Sequence, residues 1–136
     1  MNTIVLLVDD EVPFVETMTK RLNKRNLKIL NAFSGTQALD VLSKENNVDV
    51  VILDVKMPGM DGMETLREMK KMRPLMEVIM LTGHASVESG MKGIQLGAFD
   101  YVMKPAEMDD LLEKVHQAYE RKTFHEMKIR QSNILG

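Results

Sequence analysis

The sequence predicts an α/β protein built on a parallel sheet, because short apolar runs alternate with stretches of helical period. A run of continuously apolar residues is typical of a strand that is covered on both faces. Right-handed crossovers between five such strands give a doubly wound sheet with five helices, distributed over both faces. The five runs are Ile4–Val8, Leu27–Leu30, Val50–Leu53, Val78–Leu81 and Tyr101–Met103. Lys28 interrupts the second run, which indicates a strand near the sheet edge.

Each apolar run is followed by a candidate helix with its own boundary signal. Pro13 lies near the start of the first helix, where its missing N–H costs nothing, and Ser34 is the expected N-cap of the second. Pro74 follows the third helix and Gly97 follows the fourth, as terminating residues do. The fifth helix is marked by four apolar positions, which are Leu111, Leu112, Val115 and Tyr119.

The composition limits the class of protein. A chain of 136 residues with 44% hydrophobic and 28% charged residues is typical of one soluble globular domain. The absence of cysteine excludes disulfides, thiolate metal sites and cysteine nucleophiles. A net charge of -2 provides no general attraction to nucleic acid. The apolar segment 3–8 is too short for a signal peptide or a membrane span, so we expect a cytoplasmic protein with neither membrane nor direct nucleic-acid binding.

Polar residues follow four of the predicted strands at the point where each strand ends. Asp9 and Asp10 follow the first strand, Asp54 the third, Thr82 the fourth and Lys104 the fifth. In an open α/β sheet, ligands bind outside the carboxyl ends of the strands, beside the topological switch point. We therefore expect these five side chains to lie together although they are far apart along the chain.

Three carboxylates at one edge of a sheet need positive charge, because they repel one another and are costly to desolvate. A hard divalent cation such as Mg²⁺ suits an all-oxygen site that also uses waters and phosphate oxygens as ligands. Lys104 supplies a second positive charge, and Thr82 supplies a hydroxyl donor. The set indicates a metal pocket that holds a phosphoryl group, with Asp54 as the nucleophile that forms an aspartyl phosphate.

Each of these signals alone has an ordinary structural explanation. An Asp-Asp pair after a strand is commonly a solvated acidic turn, Thr82-Gly83 is typical turn chemistry, and Lys104-Pro105 is typical of a surface corner. The stretch 57–62 is compatible with a simple turn before a helix. The joint placement of four groups at strand ends is what favours a binding site.

Four strings of the sequence resemble the receiver domains of two-component response regulators. The resemblance runs from residue 3 to residue 121 and implies a flavodoxin-like three-layer sandwich with strand order 2-1-3-4-5, as in chemotaxis regulators. The segments 82–85 and 97–101 are also similar to receivers joined to ATPase-type transcription activators. The four strings are Val8-Asp9-Asp10-Glu11, Leu53–Gly62, Leu81–His84 and Phe99–Pro105.

The resemblance implies a role for each residue of the pocket. Asp54 accepts a phosphoryl group from a histidine kinase or a small phosphodonor. Asp9, Asp10, Asp54 and the backbone carbonyl of Lys56 bind Mg²⁺, for which Mn²⁺ can substitute, and Asp9 acts mainly through water. The phosphoryl oxygens are contacted by the side chains of Thr82 and Lys104 and by the backbone N–H groups of Lys56 and Gly83.

The resemblance also implies a switch. Phosphorylation draws Thr82 inward and Tyr101 turns into the vacated space, which changes the surface of the fourth helix, fifth strand and fifth helix. An aromatic residue that merely packs in a terminal strand is the plainer explanation of Tyr101. The peptide bond Lys104–Pro105 is expected to be cis. Lys56 and His84 are expected to tune the lifetime of the phosphate, although a solvated loop residue is an equally common explanation of His84.

The implied partners are a sensor histidine kinase or phosphotransfer protein and a downstream target or fused output domain, and a phosphorylation-dependent homodimer is compatible with them. Such a phosphorelay domain is not classed as an enzyme, since it catalyses only its own phosphorylation and dephosphorylation. Residues 1–121 are expected to form the receiver domain, and residues 122–136 a C-terminal helical extension or linker that frays by Asn133. Both a stand-alone regulator and the receiver of a longer one fit the sequence.

Three other function classes share part of the pattern. A constitutive protein-docking module would keep the fold without using phosphorylation. A small metal-dependent phosphohydrolase would use a strand-end aspartate and a lysine, but 136 residues leave little for the cap that it needs. A flavodoxin-like electron carrier needs a phosphate-cradling loop after the first strand, where Asp9-Asp10-Glu11 repels phosphate.

Overall fold

The computed structural model describes residues 3–57, 59–83 and 87–135, which form a five-stranded parallel sheet between two layers of helices. The strand order is β2-β1-β3-β4-β5, so the predicted doubly wound, flavodoxin-like fold is confirmed. The strands are β1 (Thr3–Val8), β2 (Leu27–Ala32), β3 (Val50–Asp54), β4 (Glu77–Thr82) and β5 (Asp100–Met103). The helices are α1 (Val12–Asn23), α2 (Gly35–Lys44), α3 (Gly62–Met72), α4 (Val87–Gln95) and α5 (Met108–Leu135).

The helix boundaries follow the signals in the sequence. The Ser34 hydroxyl accepts a hydrogen bond from the backbone N–H of Gln37 at 3.1 Å, which makes it the N-cap of α2 as predicted. Pro13 lies in the first turn of α1, where no intrahelical N–H is required. Gly97 follows α4 with a φ of +108°, a backbone conformation that favours glycine. Local chemistry therefore sets three of these boundaries.

Two central strands extend further than their apolar runs predict. Asp54 is the last residue of β3 and pairs with Leu81, and Thr82 is the last residue of β4 and pairs with Met103. Both polar residues follow an apolar run but still lie in the hydrogen-bonded ladder, because the neighbouring strand continues beside them. The backbone of the sheet therefore positions their side chains directly.

The core lies on both faces of the sheet. One layer packs α1 and α5 against one face through residues such as Leu22, Ile52 and Val115, which are fully buried. The other packs α2 and α3 against the opposite face through residues such as Leu42 and Leu66. Since β1, β3 and β4 are covered on both sides, their carboxyl ends form a rigid edge for a site.

Helix α5 runs without a break from Met108 to Leu135 and crosses the predicted boundary between residues 121 and 122. The helix continues past Asn133, the residue by which the sequence suggested that it frays. Ion pairs stabilise the second half of α5, including Lys122 with Glu126 one turn later at 3.2 Å. Within residues 3–57, 59–83 and 87–135, no helix combines the length and apolarity that crossing a membrane requires.

Candidate functional site

The predicted site residues converge at the carboxyl edge of the sheet, where β1 and β3 lie side by side. The strand order reverses direction at this pair, since β2 lies on one side of β1 and β4 on the far side of β3. A cleft of about 400 Å³ opens there. It is lined by Asp10, Glu11, Asp54, Lys56, Gly83 and Lys104.

Three carboxylates form an acidic cluster in this cleft. Asp9, Asp10 and Asp54 each present one oxygen such that the three oxygens lie within 4.8 Å of one another. Asp9 is fully buried and Asp54 is 5% exposed, whereas Asp10 is exposed. The backbone N–H of Glu11 donates to Asp9 Oδ1 at 2.9 Å, which fixes the orientation of the buried carboxylate. Oxygen ligands at this spacing on rigid strand ends fit a hard divalent cation.

Lys104 supplies the positive charge of the cleft. Its Nζ lies 2.6 Å from Asp9 Oδ2, 3.0 Å from Glu11 Oε1 and 3.9 Å from Asp54 Oδ2. It also lies 4.6 Å from the centroid of the Phe14 ring. Partial burial lowers the pKa of Lys104, but hydrogen bonds to Asp9 and Glu11 outweigh this effect and raise it. The ammonium group is therefore held firmly in its charged form.

The pKa of Asp54 is raised to about 6, well above its ordinary value. Burial is the largest cause, and the charge of Asp9 raises the pKa further. The ammonium group of Lys104 and a hydrogen bond of 3.4 Å from the backbone N–H of Lys56 to Asp54 Oδ1 oppose the rise. A cation in the cleft would favour the ionised form of Asp54, which is the form that can act as a nucleophile.

Thr82 is fully buried, and its hydroxyl has no hydrogen-bond partner within the described residues. A buried hydroxyl without a partner is costly, so this group is available to an incoming acceptor. The backbone N–H of Lys104 donates to the carbonyl oxygen of Thr82 at 2.6 Å and joins the ends of β4 and β5. The Lys104–Pro105 peptide bond is cis. The open space beside Gly83 keeps its backbone accessible.

Tyr101 is half-buried on β5 and packs against α4 at Gly90. A Cβ atom on Gly90 would lie 2.5 Å from Tyr101 Cγ and 2.7 Å from both Cδ atoms. The ring therefore occupies a position that is available only because residue 90 has no side chain. The sequence motifs point to Tyr101 but not to this glycine.

The loop between β3 and α3 is held close to the end of β3 by Gly62. The backbone N–H of Gly62 donates to the carbonyl oxygen of Val55 at 3.0 Å, and a Cβ atom on Gly62 would lie 2.7 Å from Val55 Cα. Asp61 caps α3 by accepting a hydrogen bond from the backbone N–H of Glu64 at 2.8 Å. This close approach positions the loop that carries Lys56 beside the acidic cluster.

The structure brings together Asp9, Asp10, Asp54 and Lys104, and it places Thr82 at the end of the adjoining strand. The side chain of Lys56 is exposed and its backbone N–H faces Asp54. His84, which the resemblance assigned to lifetime tuning, lies outside the described residues. Sequence reasoning assigned no role to Glu11, Phe14, Gly62 or Gly90. Glu11 and Gly62 lie in strings that carried the family resemblance, whereas Phe14 and Gly90 lie outside them.

Fold and site together define a doubly wound α/β domain with an acidic, lysine-containing site at the carboxyl edge of its sheet. The family described as the response regulator receiver domain matches residues 5–116, so the chain belongs to this family. The resemblance found in the sequence is thereby confirmed.

Several known proteins are similar to this chain. The transcriptional regulatory protein GlrR of Escherichia coli K12 is 37% identical over 117 residues, which cover 86% of this chain and 26% of GlrR. The transcriptional regulatory protein ZraR of the same strain is 34% identical over the same length. A response regulator receiver domain protein from Clostridium thermocellum is 36% identical with a TM-score of 0.86, and the match covers 90% of this chain and 98% of that one. The chain thus spans about a quarter of the length of the curated relatives that it matches.

Proposed function

We propose that this receiver domain accepts a phosphoryl group on Asp54 from a histidine kinase or phosphotransfer protein, and that the phosphate switches the surface of α4, β5 and α5. The observation that carries the proposal is the convergence of Asp54 with two further carboxylates and the Lys104 ammonium group. Asp54 is the last residue of β3, and one of its oxygens lies within 4.8 Å of an oxygen of Asp9 and of Asp10.

The reaction is an in-line transfer. An oxygen of the ionised Asp54 carboxylate attacks the phosphorus atom, and a new P–O bond forms. The bond from phosphorus to the donor breaks, and its electron pair leaves with the imidazole nitrogen of a phosphohistidine or with the oxygen of an acyl phosphate. Asp54 must be deprotonated for this step, and because its pKa is about 6 most of the group is ionised at neutral pH.

The residues around Asp54 have separate tasks in this proposal. Asp9, Asp10, Asp54 and the carbonyl oxygen of Lys56 would hold Mg²⁺ or Mn²⁺, which neutralises charge on the transferred phosphoryl group. Lys104 moves its ammonium group toward one phosphoryl oxygen. The other phosphoryl contacts come from the Thr82 hydroxyl and the backbone N–H groups of Lys56 and Gly83.

The switch begins at Thr82, whose buried hydroxyl is without a protein partner in the described residues. Its hydrogen bond to the phosphoryl group would draw the carboxyl end of β4 inward. Tyr101 then turns away from Gly90 into the space beside Thr82, and the contact between β5 and α4 changes. A partner protein or an output domain that binds this surface senses the phosphate.

On this proposal the protein acts in the cytoplasm. Residues 1–121 are the receiver unit, and residues 122–136 are a helical extension toward an output domain. It performs no chemistry beyond its own phosphorylation and dephosphorylation. Lys56 and His84 tune the lifetime of the phosphate.

Intact mass after incubation with acetyl phosphate and MgCl₂ tests the proposal. The wild-type chain is expected to gain the mass of one phosphoryl group, and EDTA should prevent the gain. Asp54→Asn should not gain this mass. Asp40→Asn, which changes an exposed aspartate on α2, is the control that should be phosphorylated normally. A wild-type chain that neither gains mass nor binds beryllofluoride would leave a constitutive docking module as the better explanation.

A further inference from the structure

The ammonium group of Lys104 is contacted from the segment that joins β1 to α1. Asp9 Oδ2 lies 2.6 Å from Nζ, and Nζ donates a hydrogen bond to Glu11 Oε1 at 3.0 Å. The ring of Phe14 lies beside the same group, with its centroid 4.6 Å from Nζ. The Asp54 carboxylate, at 3.9 Å, is the most distant of the three carboxylates. In the resting structure the lysine is therefore bound to the start of α1 more closely than to the proposed phosphoacceptor.

Glu11 lies at the N-cap position of α1 but does not cap the helix. A side chain at this position commonly accepts a hydrogen bond from the first turn, yet the Glu11 carboxylate accepts none. The backbone of Glu11 is fixed, because its N–H donates to Asp9 Oδ1 at 2.9 Å and its carbonyl oxygen accepts the N–H of Val15 at 3.0 Å. Within the described part of the chain, Lys104 is the one cation that pairs with its carboxylate.

Phe14 supports the same arrangement. It follows Glu11 by three residues, so the two side chains lie on one side of the start of α1. The ring is half-buried and packs against the core between the sheet and the layer of α1 and α5. A fixed aromatic face and a carboxylate from the same helix start therefore enclose one ammonium group, whose side chain is only 17% exposed.

The two carboxylates nearest to Lys104 have different environments. The Asp9 side chain is fully buried and belongs to the acidic cluster with Asp10 and Asp54. The Glu11 side chain is 65% exposed and lies outside this cluster. A cation held by the cluster would offset the charge of Asp9 and weaken its attraction for Lys104. The charge of Glu11 would remain available to the lysine.

We propose that Glu11 is a positioning residue that restrains the Lys104 ammonium group and competes for it with a phosphoryl group on Asp54. The competition rests on the proposed function, in which Lys104 contacts one phosphoryl oxygen. A shift of Nζ toward that oxygen weakens its bond to Glu11, and the negative charge of Glu11 opposes the shift. Glu11 therefore slows phosphoryl transfer to Asp54.

The exposure of Glu11 limits the size of this effect. Exposed ion pairs contribute little in water, so loss of the Glu11 charge should raise the rate of phosphorylation by about twofold to fivefold. Asp9 lies closer to Nζ than Glu11 does, so Lys104 stays at the cleft when Glu11 is replaced. The lysine is then free to approach the phosphoryl group without being lost from the site.

The NMR signals of the Lys104 ε-methylene protons test the restraint in the unphosphorylated, metal-free chain, so the result is independent of Asp54 chemistry. In protein labelled with ¹³C-lysine, the signal that disappears in Lys104→Arg belongs to Lys104. Because Nζ lies over the Phe14 ring, the ring current should shift these protons upfield in the wild type. Glu11→Gln should move the signal toward that of a solvated lysine, whereas Glu16→Gln on exposed α1 should leave it unchanged. An unmoved signal in Glu11→Gln overturns the proposal.

Phosphorylation rates with acetyl phosphate and MgCl₂, followed by intact mass, test the competition. Glu11→Gln should react about twofold to fivefold faster than the wild type, and Glu16→Gln should react at the wild-type rate. Glu11→Asp keeps the charge but is one methylene shorter, so it should also react faster and move the Lys104 signal. A wild-type rate in Glu11→Asp with a moved Lys104 signal would mean that Glu11 acts only by repelling the donor, which overturns the positioning role. A wild type that gains no mass contradicts the proposed function, and the Lys104 signal then still decides whether Glu11 restrains the lysine.

Discussion

The ammonium group of Lys104 lies 2.6 Å from Asp9 Oδ2, and Asp9 is fully buried. The same ammonium group is 3.9 Å from Asp54, so in this structure its main ion-pair partner is Asp9 and not the proposed phosphoacceptor. Phosphorylation would therefore redistribute an existing ion pair. If Asp54 is phosphorylated as proposed, the stability of the resting domain and its capacity for phosphorylation depend on the same lysine.

Replacing Lys104 by methionine should destabilise the metal-free protein, because the buried Asp9 carboxylate loses its cation. Loss of one partner of a buried pair typically costs 3–5 kcal/mol, and since the Lys104 side chain is 17% exposed we expect about 2 kcal/mol. Urea unfolding in EDTA measures this change. Lys56→Met, which removes an exposed lysine from the same cleft, should have little effect. Equal stabilities for the two variants would contradict the assigned ion pair.

Asp54→Asn should stabilise the metal-free protein at neutral pH. The pKa of Asp54 is about 6 in the folded state, against the ordinary value of 3.8 that applies to the unfolded chain. Between these two values the folded state binds more protons than the unfolded state, so the free energy of unfolding falls as pH rises through them. At about 1.4 kcal/mol per pKa unit, the rise from 3.8 to about 6 means that the asparagine variant should gain roughly 3 kcal/mol at pH 7. The gain should disappear below about pH 3, where the aspartate is protonated in both the folded and the unfolded state. Unfolding curves at both pH values measure it, and a pH-independent difference would contradict the raised pKa.

Magnesium should raise the free energy of unfolding of the wild type, because the ion binds only the folded acidic cluster. At a concentration of one hundred times the dissociation constant the gain is about 2.7 kcal/mol. Asp10→Asn should abolish the gain with little change in metal-free stability, since Asp10 is exposed. Thermal unfolding with and without MgCl₂ is the measurement, and Asp40→Asn should respond like the wild type. An identical magnesium response in the Asp10 variant would remove Asp10 from the ligand set.

Gly90→Ala should destabilise the domain although alanine is the better helix former. Its Cβ would lie 2.5 Å from Tyr101 Cγ, so the ring must leave its position against α4. In a Tyr101→Ala background the obstacle is gone, and the same change should stabilise α4 by up to about 1 kcal/mol. Unfolding free energies of the four chains in this double-mutant cycle test the prediction. If Gly90→Ala changed the free energy of unfolding with the same sign in both backgrounds, the ring of Tyr101 would not depend on the missing side chain at Gly90.

Much of the fold was predictable because buried parallel strands leave continuous apolar runs, as in Val50–Leu53. The helix boundaries at Ser34 and Gly97 were predictable because capping is a local effect. The convergence of Asp54 and Lys104 followed from the strand ends alone, since parallel strands deliver their carboxyl ends to one edge.

Other features depend on contacts that a single sequence does not display. The role of Gly90 depends on the ring of Tyr101, which approaches it from another element. The sequence left the end of α5 open between a helical extension and a linker, because its charged residues are compatible with both. The ion pairs of Arg121 with Glu77 and of Lys122 with Asp49 join residues that lie more than forty positions apart in the chain.

Locating the phosphoryl group within the chain decides whether Asp54 is the phosphoacceptor. Borohydride converts an aspartyl phosphate to homoserine, and peptide mass spectrometry then identifies the converted position. After phosphorylation with acetyl phosphate and magnesium, we expect homoserine at position 54 and an unchanged peptide containing Asp9 and Asp10. Homoserine at position 9 or 10, or a phosphoryl group on a hydroxyl that borohydride leaves intact, would contradict it.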